Sequence, residues 1–161
     1  MLITPSFARD LKRGEEPLVD ELITAAFGRD DEVKLIKRLR KTRVMAGEQV
    51  MPMGDRIVGY YALSYMIKPK GWLCLAPVAI APDVQRRGYG KRMLGMLTEW
   101  ARLTGTSIVV RGPQEFCDKA GFSRGAAAKL RSPFPNENLA ISGVKGVPDQ
   151  ELIYPVAFLG G

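Results

Sequence analysis

The sequence predicts an α/β fold, a central mixed β-sheet with helices packed on its faces. Three observations carry this reading. Trp72–Ile80 is an almost unbroken apolar run, Arg92–Leu103 comes after it with helical periodicity, and two further helical segments and a hairpin precede it. An apolar run of strand length suits a strand buried on both faces. Such a strand needs helices to cover it.

The elements run in order. Met1–Phe7 is apolar enough for an edge strand. Glu15–Phe27 carries Leu18, Leu22 and Ala25 or Ala26 at helical spacing, with Pro17 near its start and Gly28 placed to end it. A second helix is expected to begin at Asp30 or Asp31, either of which can cap it. Val33, Ile36 and Leu39 would face inward, and Lys34, Lys37, Arg38, Arg40 and Lys41 would form a basic outer face. Gln49–Met53, a Gly54-Asp55 turn and Arg56–Met66 read as a hairpin. Pro69–Gly71 breaks the chain, and Trp72–Ile80 is stopped by Pro82. Met93, Leu94, Leu97, Trp100 and Ala101 give Arg92–Leu103 its apolar stripe. Thr106–Val110 is rich in β-branched residues and reads as a short strand. Gln114–Ala120 reads as a short helix ended by Gly121. From Ala126 onward, prolines at 133, 135, 148 and 155 predict irregular strands and loops.

Composition narrows the chemistry. The 161 residues fit one domain, with a core over about 1–125 and a divergent segment from 126 to 161. No run is long and apolar enough for a membrane span, and Met1–Asp10 lacks the pattern of a secretory signal. Cys74 and Cys117 are too few for a disulfide framework and match no zinc spacing, so a cytoplasmic protein without a metal is expected. The chain has no histidine, which removes Ser-His and Cys-His pairs and histidine bases. Its net charge of +7 favours an anionic partner.

The most informative stretch is Gln85-Arg86-Arg87-Gly88-Tyr89-Gly90-Lys91, between the buried strand and the long helix. A helix start offers free backbone N–H groups and the positive end of the dipole, a ready site for an anion. Gly88 and Gly90 allow close approach of the backbone, and Arg86, Arg87, Lys91 and Arg92 add positive charge. It is not a P-loop, because Gly90-Lys91 is followed by Arg92. Nor is it a dinucleotide fingerprint, because position 93 is methionine. From these residues alone, a basic solvated turn and a phosphate site remain equal readings.

At these residues the chain resembles the GNAT superfamily of N-acetyltransferases, whose Gln/Arg-x-x-Gly-x-Gly/Ala signature is met in full by Gln85–Gly90. It is most similar to the YhbS-like branch, through Ala26–Val33, Arg56-Ile57-Val58-Gly59 and Gly71–Pro77. The resemblance implies an acyl-CoA N-acyltransferase fold and acetyl-CoA as cosubstrate. Backbone groups of Val78 and Ile80 would hold the pantetheine arm and thioester carbonyl, and N–H groups of Gln85, Arg86, Arg87, Gly88, Tyr89, Gly90 and Lys91 would hold the pyrophosphate. An amine acceptor, small molecule or protein, would enter from the opposite side. Relatives in this superfamily often carry a tyrosine acid in the late short helix; Cys117 stands at that position, after Phe116. Cys117 is therefore either a substitute acid or a small buried apolar residue. Asp31 and Glu32 are better explained as helix-start residues complementing the dipole, and Glu32 is the best carboxylate candidate to grip or deprotonate an acceptor amine. One of Tyr60 and Tyr61 must face opposite to the other and is a candidate to line a cleft. The functions in play are an N-acetyltransferase acting on an amine, a non-catalytic acyl-CoA-binding module, and an acetyltransferase of aminoacyl-tRNA. The basic face of 34–43 lacks interleaved aromatics, which disfavours nucleic acid. No membrane partner is expected, and a homodimer is compatible with the sequence.

Overall fold

The computed structural model describes residues 3–111, 120–127, 130–133, 139–142 and 150–158. The elements are β1 (Arg9–Asp10), α1 (Glu16–Phe27), α2 (Asp31–Lys41), β2 (Met45–Met53), β3 (Arg56–Tyr65), β4 (Leu73–Ile80), α3 (Tyr89–Thr104), β5 (Ile108–Arg111), α4 (Arg124–Ala127) and β6 (Leu139–Ser142). The strands form one six-stranded sheet in sequence order. Every neighbouring pair is antiparallel except β4 with β5. That parallel pair needs a crossover, and α3 supplies it.

Helix α1 has proline in its first turn and buries Val19, Leu22 and Ile23. Gly28 ends it in the left-handed region, at φ 68°, with its N–H bonded to Thr24 O. Helix α2 buries Val33, Ile36 and Leu39, as their spacing predicts. Asp30 sits at its N-cap but makes no capping bond; its carboxylate lies 3.4 Å from Lys34 Nζ. The basic outer face is smaller than expected. Arg40 Nη2 lies 2.7 Å from Glu48 of β2, and Arg38 Nε donates to Ala157 O at 3.1 Å.

The two tyrosines of β3 face opposite ways, as the pleat requires. Tyr60 is fully buried on the α2 side, where its hydroxyl donates to Glu48 Oε1 at 2.6 Å. Glu48 thus joins α2, β2 and β3 through Arg40 and Tyr60. Burial and the Glu48 charge push the Tyr60 hydroxyl pKa up. Tyr61 lies on the α3 side, near Met93 and Leu97.

Other expectations shift too: the first hairpin strand starts at Met45, before Gln49, and the long helix at Tyr89, before Arg92. The edge strand is Arg9–Asp10, paired with Val50 and Gln49, and not a segment of Met1–Phe7. Ser6 N–H does reach Pro52 O at 2.8 Å, but Ile3 and Phe7 stay exposed, because their apolar side chains do not lie over the core. Trp100 belongs to the α3 stripe by spacing but is 44% exposed, because it lines an open space between α3 and the sheet together with Met96. The strand expected at Thr106–Val110 runs from Ile108 to Arg111. In the C-terminal part, β6 pairs with β5 over four residues. A second cluster there gathers Cys74, Val109, Leu130, Ile141 and Tyr154. The helix expected at Gln114–Ala120 lies almost wholly outside the described residues.

Replacing Tyr60 with phenylalanine removes one donor from Glu48 and leaves the packing in place. The expected cost is about 1.5–3 kcal/mol, as for a hydrogen bond to a charged group. It should appear as a lowered urea midpoint with an unchanged slope.

Candidate functional site

The site begins in β4. Tyr61 pairs with Val78 and Leu63 with Leu75, so the single β3 residue between them stands opposite two of β4. The extra residue falls at Ala76-Pro77. A bulge of this kind bends its strand and re-aims the residues beyond it. On its other side β4 pairs with β5 only through Leu73, Cys74 and Leu75. From Ala76 onward, no described strand pairs with β4 on that side.

Backbone polarity along the splayed part is set by one bond. Ala81 N–H donates to Val58 O of β3 at 2.8 Å. Strand N–H groups alternate in direction, so those of Val78 and Ile80 point away from β3, into the splay. The Ile80 carbonyl points the same way and accepts from Gln85 Nε2 at 2.9 Å. Gln85 therefore ties the turn back to the strand end.

Between β4 and α3, Pro82–Val84 forms a 3-10 turn. Asp83 is gripped by Arg56 of the hairpin, with Nη1 to Oδ2 at 2.8 Å and Nη2 to Oδ1 at 2.9 Å. The hydrogen bonds from Arg56 hold the exposed Asp83 carboxyl down at about 2. Arg86 then adopts φ 64°, unusual for a residue with a side chain, and Gly88 adopts φ 84° at the N-cap of α3. A Cβ on Gly88 would meet nothing within 4 Å. Glycine is required there by backbone conformation and not by crowding. Arg92 N–H donates to Gly88 O and opens the ladder of α3. The N–H groups of Tyr89, Gly90 and Lys91, in the first turn of α3, have no intrahelical acceptor and no backbone acceptor among the described residues.

The basic residues divide. Arg86, Arg87 and Lys91 are exposed, without an ion pair among the described residues. Arg92, grouped with them by sequence, turns the other way. Its Nη2 donates to Pro5 O at 3.1 Å and Ser6 O at 3.0 Å, and its guanidinium lies over Phe7 and Tyr89. It anchors the N-terminal segment to α3.

Of the other candidates, Glu32 is forked by Arg29, with contacts of 2.9 and 2.7 Å. Arg29 lowers its pKa, the wrong direction for a base at neutral pH. Cys117 lies outside the described residues. Motif and spacing did not single out Arg56, Asp83 or the bulge; Pro77 inside an apolar run is the signal that marks such an irregularity. Among the described residues, no group of three or more His, Cys, Asp or Glu is placed to hold a metal, and no helix is long and apolar enough to cross a membrane.

A parallel strand pair that splays after a bulge, leading into a basic glycine turn at a helix start, defines the acyl-CoA N-acyltransferase fold. The chain belongs to the acetyltransferase (GNAT) family, whose pattern matches residues 17–122. Among solved structures it is similar to the GNAT family N-acetyltransferase YhbS of Escherichia coli in complex with CoA, at 20% identity and TM-score 0.86, covering 99% of this chain and 94% of that one. It is also similar to a GNAT family acetyltransferase of Brucella melitensis in complex with acetyl-CoA, at 19% identity and TM-score 0.76, covering 94% and 96%. A third is the PaiA N-acetyltransferase of Thermoplasma acidophilum in complex with coenzyme A, at 12% identity and TM-score 0.60, covering 88% and 99%. No curated protein matches the chain.

The Arg56–Asp83 pair makes a pH-dependent contribution. A depressed carboxyl pKa stabilises above the ordinary value and loses that stabilisation as pH falls toward the folded one. Thermal melting of the wild type and an Asp83→Asn variant should therefore differ at neutral pH and converge between about pH 4 and pH 2.

Proposed function

We propose that this chain is an N-acetyltransferase that transfers the acetyl group of acetyl-CoA to an amine by direct attack in a ternary complex. The observation that carries the reading is the row of backbone donors that begins in the splay at Val78 and Ile80 and continues through Gln85–Lys91. Buried main-chain donors normally find partners. A donor row beside a splay suits an extended amide-bearing arm, and the α3 start with Arg86, Arg87 and Lys91 suits its pyrophosphate. The likeness to structures holding CoA or acetyl-CoA supports the same reading.

The thioester supplies an activated acyl carbon when bound. The chain's own part is positional. Val78 and Ile80 N–H groups orient the arm, and a donor at the carbonyl oxygen steadies the charge that grows there. Holding amine and acyl carbon together is worth up to about 7–11 kcal/mol of barrier. A neutral amine needs no strong base for attack. Glu32, engaged by Arg29, is read as a group that borders the acceptor entrance. Cys117 is read as the proton donor to the leaving thiolate, at the place of the usual tyrosine. We read residues 1–161 as one acetyltransferase domain, working in the cytoplasm.

The acceptor is an amine of a small molecule or a protein. An aminoacyl-tRNA acceptor loses support, because Arg38 and Arg40 of the basic face are engaged inside the fold. A non-catalytic acyl-CoA-binding module would share the cosubstrate and lack turnover.

Isothermal titration should show acetyl-CoA binding, and free-thiol release with a panel of amines should show turnover. Binding without release under every amine would favour the module; absence of binding would remove both readings. Gly88→Val forces a β-branched residue to φ 84°, at about 1–3 kcal/mol of strain. It should weaken acetyl-CoA binding by roughly tenfold or more even where the chain remains folded. Unchanged affinity in the folded variant would make the turn purely structural. Cys117→Ala should lower kcat by roughly 10²-fold or more, with acetyl-CoA affinity kept, if the thiol is the acid. Near-normal turnover would remove it from the reaction.

A further inference from the structure

On the flank of α3 away from β5, the sheet carries a cavity of about 590 Å³ that the proposed reaction does not use. Its floor includes Tyr61 and Leu63 of β3. Met96 and Trp100 of α3 form one wall, and Asp10 of β1 with Gln49 of β2 form the other. On the opposite flank of α3, Thr98 donates to Ala120 O at 2.8 Å. Gly71 and Thr106 at the rim place the far end of the cavity beside the starts of β4 and β5, opposite the splay. No residue of the Gln85–Lys91 turn lines it.

Its size falls within the range of small-molecule pockets, and its make-up is also theirs, mostly apolar with a few convergent polar groups. Among those groups the exposed Asp10 carboxylate can only accept. Asp10 Oδ1 accepts from Gln49 Nε2. Asp10 forms no ion pair with any described residue, in a chain of net charge +7. Tyr61 is 6% exposed, and its hydroxyl bonds to no described residue. Burial, aided by the Asp10 charge, pushes that hydroxyl up to about 12, so it remains a neutral dipole at physiological pH. Across from these acceptors, Trp100 and Met96 are 44% and 51% exposed. An indole is the aromatic surface best suited to a cation.

We propose that this cavity binds a small organic amine with an aromatic or otherwise apolar body. Its ammonium is held by Asp10 beside Gln49 and Tyr61, and its body lies between Leu63 and the Met96–Trp100 wall. An ammonium gains an ion pair with Asp10 that a neutral ligand cannot form, and an anion would be repelled by it. This amine is a second ligand and not the acetyl acceptor, and its binding does not depend on how the Gln85–Lys91 turn is read.

The test uses 2-phenylethylamine against its neutral counterpart 2-phenylethanol on the full chain. Affinity is read by titration calorimetry, and location by the NMR signal of the Trp100 indole ring N–H, assigned with Trp100→Phe. The amine should shift the Trp100 indole and bind roughly tenfold or more tighter than the alcohol. Asp10→Asn should erase that preference, and Tyr61→Phe, which removes only a hydroxyl, should weaken amine binding by a smaller factor. Three outcomes overturn the proposal: no shift of the indole at millimolar amine, equal affinity for amine and alcohol, or amine affinity unchanged in both variants. Failure here would leave acetyl-CoA binding untouched, so the two readings stand or fall separately.

Discussion

The rest of the molecule is arranged around the hydrogen-bonding demand of β4. A central strand has donors and acceptors on both edges, and in an apolar interior each must be met. β3 satisfies one edge along most of its length. β5 satisfies the other only as far as Leu75. The bulge opposite Tyr61 and Leu63 turns the strand just where that pairing stops. Beyond the bulge, β4 presents an edge inside the fold, with Val78 and Ile80 aimed outward from the ladder. Proteins usually cover or blunt such an edge. Here it runs into a helix start, so that among the described residues two kinds of unpaired backbone lie end to end.

The charged residues serve this arrangement unequally. Arg40 and Tyr60 converge on Glu48 and hold α2 against β2 and β3. Arg56 reaches across to Asp83 and fixes the approach to the turn. Arg92 pins the N-terminal segment through two carbonyls and two rings. These cations are structural. Arg86, Arg87 and Lys91 remain exposed at the turn, where a dipole and open N–H groups already favour an anion. These cations are thus sorted into ones engaged inside the fold and ones that face outward from the turn.

Much of this was legible in the residues. Periodicity located α1 and α2 to within a residue or two, since Val33, Ile36 and Leu39 can share one buried face only on a helix. The apolar run at 72–80 marked the central strand, and Gly88 and Gly90 after it marked the turn. The edge strand was misplaced because apolar content at Ile3 and Phe7 does not reveal that both stay exposed. Spacing points Trp100 inward, since helical periodicity gives a direction around an axis and not what packs there. The acetyl acceptor side is the least legible part, as its residues belong to loops whose side chains obey no period.

The sequence by itself determined the order of elements, the buried strand, and a glycine-bearing basic turn at a helix start, because these depend on local pattern and on backbone freedom at single positions. Only the tertiary structure decided which N–H groups of β4 point away from β3, that Arg92 faces the N-terminal segment and not the turn, that Asp83 is held by Arg56, and that Tyr61 and Asp10 share a cavity. Each of these is a relation between segments distant in the chain. It is set by register and by the reach of long side chains, quantities that no window along the sequence contains.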